Sequence, residues 1–204
     1  MTGFLLIGRL IISAIESPDR EKDRGYYYNG CMRIEDMPTG PDHSRYQSII
    51  LFAINLYCTI KGIDFNGLDN CSYRKTGFRE YQPDISYYIQ DRAGLAPIGT
   101  LVVNSDEQFS PDLVIEISNT NLSDDLGKKR LLYEEIGVSE YWVVDVQGNE
   151  IIAFEISGRG SRRIDTSIVL PELSIESISE ALKRSREVTQ FQIGQWLMAE
   201  FQKS

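Results

Sequence analysis

The chain has 204 residues, with 21 basic against 30 acidic side chains, one histidine and a formal net charge of −9. Its 42% apolar and 25% charged fractions suffice for a hydrophobic core and exclude disorder as the main state. The acidic balance disfavours a general basic nucleic-acid-binding surface. Three scattered cysteines (Cys31, Cys58, Cys71) exclude a disulfide framework and fit a reducing, cytoplasmic compartment. The charge is unevenly placed: residues 81–150 hold 4 basic and 13 acidic side chains, whereas the segments on either side are each balanced. That stretch reads as a solvated acidic face or as a carboxylate-lined site that needs a cation.

Residues 4–17 are apolar but too short to span a bilayer, and Arg9 stands in their middle. They read as part of an N-terminal arm, residues 1–25, packed on the core or on a second subunit. Tyr26 to Ile34, with Asn29-Gly30 at its centre, reads as strand, turn, strand. Met37 to Asp42 is a loop ending in a helix N-cap signal. The apolar spacing of Tyr46, Ile49, Ile50, Ala53, Tyr57 and Ile60 then predicts a helix over 43–61, stopped by Gly62. Residues 63–90 read as short strands. Residues 91–110 form a long connection, with a brief strand at Leu101-Val102-Val103.

Leu113 to Ser118 is apolar on both faces, as in a central strand covered on both sides. A helix from about Ser123 to Ile136 is closed by Gly137, and Tyr141 to Val146 is a second buried strand. This is a βαβ unit, so the two strands should run parallel. Gln147-Gly148-Asn149 turns the chain into an antiparallel strand, Ile151–Ile156. Residues 176–204 form a C-terminal helical extension with Leu182, Phe191, Trp196 and Leu197 as apolar anchors. The principal domain therefore spans 26–175.

Three acids sit where acids are costly. Asp84 and Asp112 each follow a proline at the start of an apolar strand, and Glu116 lies inside the most buried one. In the pleat, Val114, Glu116 and Ser118 share one face while Leu113, Ile115 and Ile117 share the other. A glutamate there costs several kcal/mol unless it is paired or holds a metal. On the following helix Asp125, Lys129 and Tyr133 are spaced to share a face, and Lys129 is within reach of Glu116. Its flanking neighbours Lys128 and Arg130 diverge and read as solvated charges. Asp112 reads as a strand-start residue.

Pro83-Asp84, then Glu116 in an apolar strand, then a nearby lysine, resembles the PD-(D/E)XK nuclease superfamily. More closely the chain resembles the Uma-two family of putative restriction endonucleases, over roughly residues 26–175. The resemblance runs through Asn29-Gly30, Met37 to His43, Gln82-Pro83-Asp84, Pro111 to Glu116, Asp125 to Lys129, Tyr133 and Gly137 to Asp145. The superfamily's lysine commonly stands two residues after the glutamate, where this chain has Ser118; the Uma-two pattern puts it on the next helix, at Lys129.

The resemblance implies a restriction endonuclease-like α/β fold, a mixed sheet core flanked by helices. It implies hydrolysis of phosphodiester bonds in DNA with Mg²⁺ or Mn²⁺. Independently of the resemblance, the apolar N-terminal arm and C-terminal helix suit a homodimer, and no membrane attachment is expected. Asp84, Glu116 and Lys129 would be catalytic, and Asp84, Glu116 and the Ile117 carbonyl would ligate the metal. His43, Ser118, Asp125 and Tyr133 are candidates to line the site. The competing reading is a catalytically idle module of the same fold that binds nucleic acid or a protein.

Overall fold

A computed structural model describes residues 24–28, 31–35, 40–75 and 79–203. The expected N-terminal arm lies almost wholly outside them. Two strands, β1 (Arg24–Tyr28) and β2 (Cys31–Glu35), pair antiparallel as the turn signal predicts. Helix α1 (Pro41–Lys61) follows. It starts two residues earlier than expected: Gly40 is its N-cap without a side-chain cap, and Pro41, already fixed near helical φ, occupies the first turn. Asp42 is not the cap; its carboxylate pairs with Arg186 at 3.2 Å. Gly62, with φ 67°, ends the helix in the left-handed conformation that glycine adopts without steric cost.

Four strands come next: β3 (Phe65–Asp69), β4 (Tyr73–Lys75), β5 (Arg79–Tyr81) and β6 (Ile85–Ile89). The long connection contains a 3₁₀ turn, Gln90–Leu95, and a two-residue strand, β7 (Val103–Asn104), shifted slightly from the expected position. Strand β8 (Leu113–Ser118) leads into α2, residues 122–136, and β9 (Glu140–Asp145). Then come β10 (Glu150–Ser157), β11 (Gly160–Ile164), α3 (Ile175–Arg184) and α4 (Gln190–Phe201). The C-terminal region is thus two helices, and β11 is a strand that its polar sequence did not announce.

The main sheet has six strands in the order β11-β10-β9-β8-β6-β3. Its β8–β9 pair is parallel and β9–β10 antiparallel, as the βαβ unit and the following turn require. One face carries Ile85, Tyr87, Ile115, Ile117, Trp142 and Val144 into a core closed by α1, α3 and α4. The other carries Val114, Tyr141 and Val143 against Leu132 and Tyr133 of α2 and against Tyr26, Tyr73 and Tyr81 of a second sheet. That sheet has the order β2-β1-β5-β4-β7 and was not foreseen, because its members are short and far apart in sequence.

Helix α2 departs from regular geometry where it matters most. It begins as an α turn at Leu122–Asp124, widens to a π turn over Asp125–Lys129, and returns to α over Arg130–Ile136. Two carbonyls in the widened turn take partners from side chains. Tyr141 donates to the Asp125 carbonyl at 3.0 Å, and Arg130 Nε donates to the Leu126 carbonyl at 3.0 Å. Such single π turns inside α-helices are frequent at functional sites.

Candidate active site

Glu116 is 3% exposed, in the middle of the central strand. Its pleat points it away from the α1 core and toward α2. There both carboxylate oxygens find donors. Tyr133 Oη donates to Oε1 at 2.6 Å, and Lys129 Nζ donates to Oε2 at 3.2 Å. Lys129 is itself buried and also pairs with Asp125 Oδ1 at 3.2 Å. The buried cation thus lies between two carboxylates, which offsets the cost of taking all three out of water. Burial, and then the negative charge of Glu116, push the Tyr133 phenol well above its ordinary value, so it stays a donor. Lys128 is exposed, and Arg130 turns to Ser161 at 2.9 Å; neither joins the site.

Asp84 stands one residue before β6. In the β6–β8 register Ile85 faces Ile115 and Ser86 faces Val114, so one further step sets Asp84 opposite Glu116. Directly opposed residues on one sheet face have Cβ atoms about 4.5–5.5 Å apart. The Asp84 carboxylate is tied to β8 itself: Oδ2 accepts the Ile117 amide at 2.7 Å. His43, from the first turn of α1, brings Nε2 to 3.4 Å from the same oxygen. Ser118 is buried two residues beyond Glu116, and its hydroxyl has no hydrogen-bond partner among the described residues.

The structure therefore brings Asp84, Glu116, Ile117, Ser118, Lys129, Asp125, Tyr133 and His43 to the C-terminal end of β8. Two members were missed in the sequence. Tyr26 donates to Asp124 Oδ2 at 2.6 Å and lays its ring 5.7 Å from Lys129 Nζ, so β1 forms a wall of the site. Neither has a motif; only the buried Asp124-Asp125 pair at the start of the helix could have hinted at it. Asp112 is structural, as expected: it accepts the Ile89 amide at 2.9 Å and pairs with Arg92 at 2.8 Å. Asp145 caps the turn after β9 by accepting the amides of Gln147 and Gly148.

The donor set fits a small hard cation. Among the described residues no group of three or more His, Cys, Asp or Glu side chains is arranged as a self-sufficient metal cage. Mg²⁺ does not need one, since it keeps several waters and is bound through one or two carboxylates. Asp84 and Glu116 place two carboxylates, a hard donor type, opposite one another on one face of the sheet.

This mixed sheet with helices on both faces, carrying a buried Asp–Glu–Lys constellation at a strand end, defines a protein of the restriction endonuclease-like class. A solved structure of similar fold is that of a putative nuclease belonging to DUF820 from Anabaena variabilis ATCC 29413. It is 21% identical with a TM-score of 0.56, over 78% of this chain and 90% of that one. The model of the Uma2 family, described as putative restriction endonuclease, matches residues 13–189, and the chain belongs to that family. No curated protein matches. No helix among the described residues is long and apolar enough to cross a membrane.

Proposed function

We propose that the protein is a metal-dependent nuclease that hydrolyses phosphodiester bonds in DNA. The observation that carries this reading is the Glu116 carboxylate, buried in the central strand beside Asp84 and held by the Lys129 ammonium at 3.2 Å. A purely structural role would leave a buried carboxylate pair and lysine where an apolar trio of similar volume is commonly no less stable.

Asp84, Glu116 and the carbonyl of Ile117 would hold Mg²⁺ or Mn²⁺. The N–H and C=O of a strand residue project to the same edge, and the Ile117 N–H points to Asp84. Bound there, the cation would polarise a phosphoryl oxygen and lower the pKa of a water. Lys129 supplies a fixed positive charge beside the developing charge on phosphate oxygens. Tyr133 keeps Glu116 in one rotamer through Oε1, leaving lone pairs of the carboxylate for a ligand. Hydrolysis forms one bond from water oxygen to phosphorus and breaks one to a sugar oxygen, which receives the proton that the water gives up.

The groove between α1 and α4 is about 430 Å³, lined by Phe52, Phe191, Gly194 and Met198 among others, with no charged residue in its lining. A homodimer would bury this apolar groove without bringing charged side chains of its lining together. The free thiols of Cys58 and Cys71 suit the reducing cytoplasm.

The test is an assay on labelled duplex DNA, single-stranded DNA and RNA with Mg²⁺, Mn²⁺ or chelator, with Lys129→Ala beside the wild type. Metal-dependent cleavage of DNA, lost in the variant, is the expected result. Binding without cleavage in every condition would favour the idle module.

A further inference from the structure

Three basic residues of the second sheet come together only in three dimensions. Arg79 of β5 stands directly opposite Lys75 of β4 in their ladder. Arg33 of β2 is registered with Tyr26 of β1. The strands β2, β1, β5 and β4 lie side by side, so these positions spread over three strand spacings, about 14 Å. No acidic residue occurs in the segments 25–33 and 75–79, in a chain whose net charge is −9. The acid of the next pair, Glu80, is taken up by Arg74 at 3.0 Å, and Lys75 is exposed. Like charges on directly opposed strand residues destabilise a ladder. The fold therefore gains nothing from setting Lys75 opposite Arg79, and an anion bound beside them would offset the cost.

The same sheet is built onto the candidate site. Tyr26 forms a wall beside Lys129 and Asp124. Tyr81, stacked on Tyr73 at 5.0 Å, meets the ring of Tyr133 at 5.8 Å, and Tyr133 holds Glu116. The β4–β5 hairpin is closed at its base by Asn70. The Asn70 amide donates to the Asp84 carbonyl at 3.0 Å, and its carbonyl accepts from Gln82 Nε2 at 2.9 Å. Lys75 and Arg79 stand two residues beyond Tyr73 and Tyr81, about 7 Å farther along their strands. The basic positions are thus tied to the site through its tyrosines while standing outside the carboxylate pair itself.

We propose that Arg33, Lys75 and Arg79 form the surface that holds the phosphate backbone of duplex DNA beside the cleavage site. This rests on the hydrolytic reading above and gives that site its grip on substrate. A duplex carries one negative charge per about 1.7 Å of its axis and stays stiff over about 150 bp, so its other phosphates stand at set distances from the one being cut. A positive stripe fixed to the site at one side matches that spacing of charge, and a single free phosphate would not engage both places. Contacts of this kind position the duplex and read no base sequence. They also give a chain with net charge −9 a local attraction for a polyanion.

The test is binding of a labelled duplex of mixed sequence, followed by fluorescence anisotropy over a series of salt concentrations with Ca²⁺ in place of Mg²⁺. The wild type is compared with the triple variant Arg33→Gln, Lys75→Gln, Arg79→Gln and with the double variant Lys75→Gln, Arg79→Gln. A control, Arg159→Gln with Lys183→Gln and Lys203→Gln, removes the same charge as the triple variant from exposed positions elsewhere. The expected result is a loss of affinity of about tenfold or more in the triple variant. The slope of log K on log salt should shrink by about 1 for each residue removed, while the control keeps the wild-type slope. The double variant should melt no lower than the wild type, because it removes a like-charge pair, so its loss of binding is not a loss of fold.

A wild type without affinity for duplex DNA overturns the proposal. So does a triple variant with the wild-type slope, a control that loses as much as the triple variant, or a loss confined to single-stranded DNA. Failure of the hydrolytic reading looks different. A wild type that binds duplex through these residues yet cleaves nothing with Mg²⁺ or Mn²⁺ counts against hydrolysis and leaves the surface standing. A triple variant that binds and cleaves duplex as the wild type does counts against the surface alone.

Discussion

Asp84 and Ile117 are joined by a 2.7 Å hydrogen bond from the Ile117 amide to the Asp84 carboxylate. The bond crosses from the residue before β6 to the residue after Glu116. It fixes the distance between the two strand ends on which the candidate ligands sit. Asp84→Asn keeps an oxygen for that amide and removes the charge, so it should change stability by no more than about 1 kcal/mol. Asp84→Ala leaves the amide unpaired and should cost about 1–3 kcal/mol. Urea unfolding of both variants checks the difference, and both should lose the response to metal.

Lys129 places a buried ammonium between Glu116 and Asp125. Lys129→Met removes the ammonium that pairs with both of these buried carboxylates. The expected loss of stability is about 3–5 kcal/mol, the scale for removing one partner of a buried ion pair. Double replacement, Lys129→Met with Glu116→Gln, should recover part of that loss, because one of the two carboxylate charges facing the lost ammonium is removed while that of Asp125 stays. Chemical denaturation of the four proteins in the cycle measures the coupling.

Much of this site was legible because chemistry and pattern coincide. Glu116 stands out as the one charge in an apolar strand, and its two-residue period fixes which face it occupies. Lys129 and Tyr133 follow from helical spacing after that strand. The π turn over Asp125–Lys129 left no mark, since it depends on side-chain donors such as Tyr141 reaching the widened turn from another element. Tyr26 and Asp124 were missed for the same reason: their bond spans 98 residues and joins a sheet whose short strands have no periodic signal. The start of α1 was misplaced because Asp42 looks like a cap, while in three dimensions Arg186 draws it away.

Glu140 illustrates a buried carboxylate with a structural role. It is fully buried and accepts Ser167 Oγ at 3.0 Å and the amides of Ile168 and Val169 at 2.8 and 3.2 Å, with Trp142 Nε1 as a further donor. Burial pushes its carboxyl above its ordinary value of 4.5, and these hydrogen bonds only partly oppose the shift. A carboxyl raised in the folded state binds its proton more tightly there than in the unfolded chain. Its contribution to stability is full below 4.5 and is lost as pH rises through the folded value. Glu140→Gln should remove that component from the stability profile. It should also cost about 1–3 kcal/mol at neutral pH, because the amide offers one acceptor where the carboxylate offered two. Unfolding free energies measured upward from pH 4.5 in both proteins test the sign.

Thermal melting with titrated Mn²⁺ shows whether Asp84 and Glu116 together bind a divalent cation. A cation that binds only the folded chain adds about 2.7 kcal/mol at a hundredfold excess over its Kd. For a chain of 204 residues this corresponds to a rise of roughly 5–10 °C. The expected result is a saturable rise in the wild type, reversed by chelator and abolished in both Asp84→Asn and Glu116→Gln. A Glu116→Gln protein that responds to Mn²⁺ as fully as the wild type would contradict it.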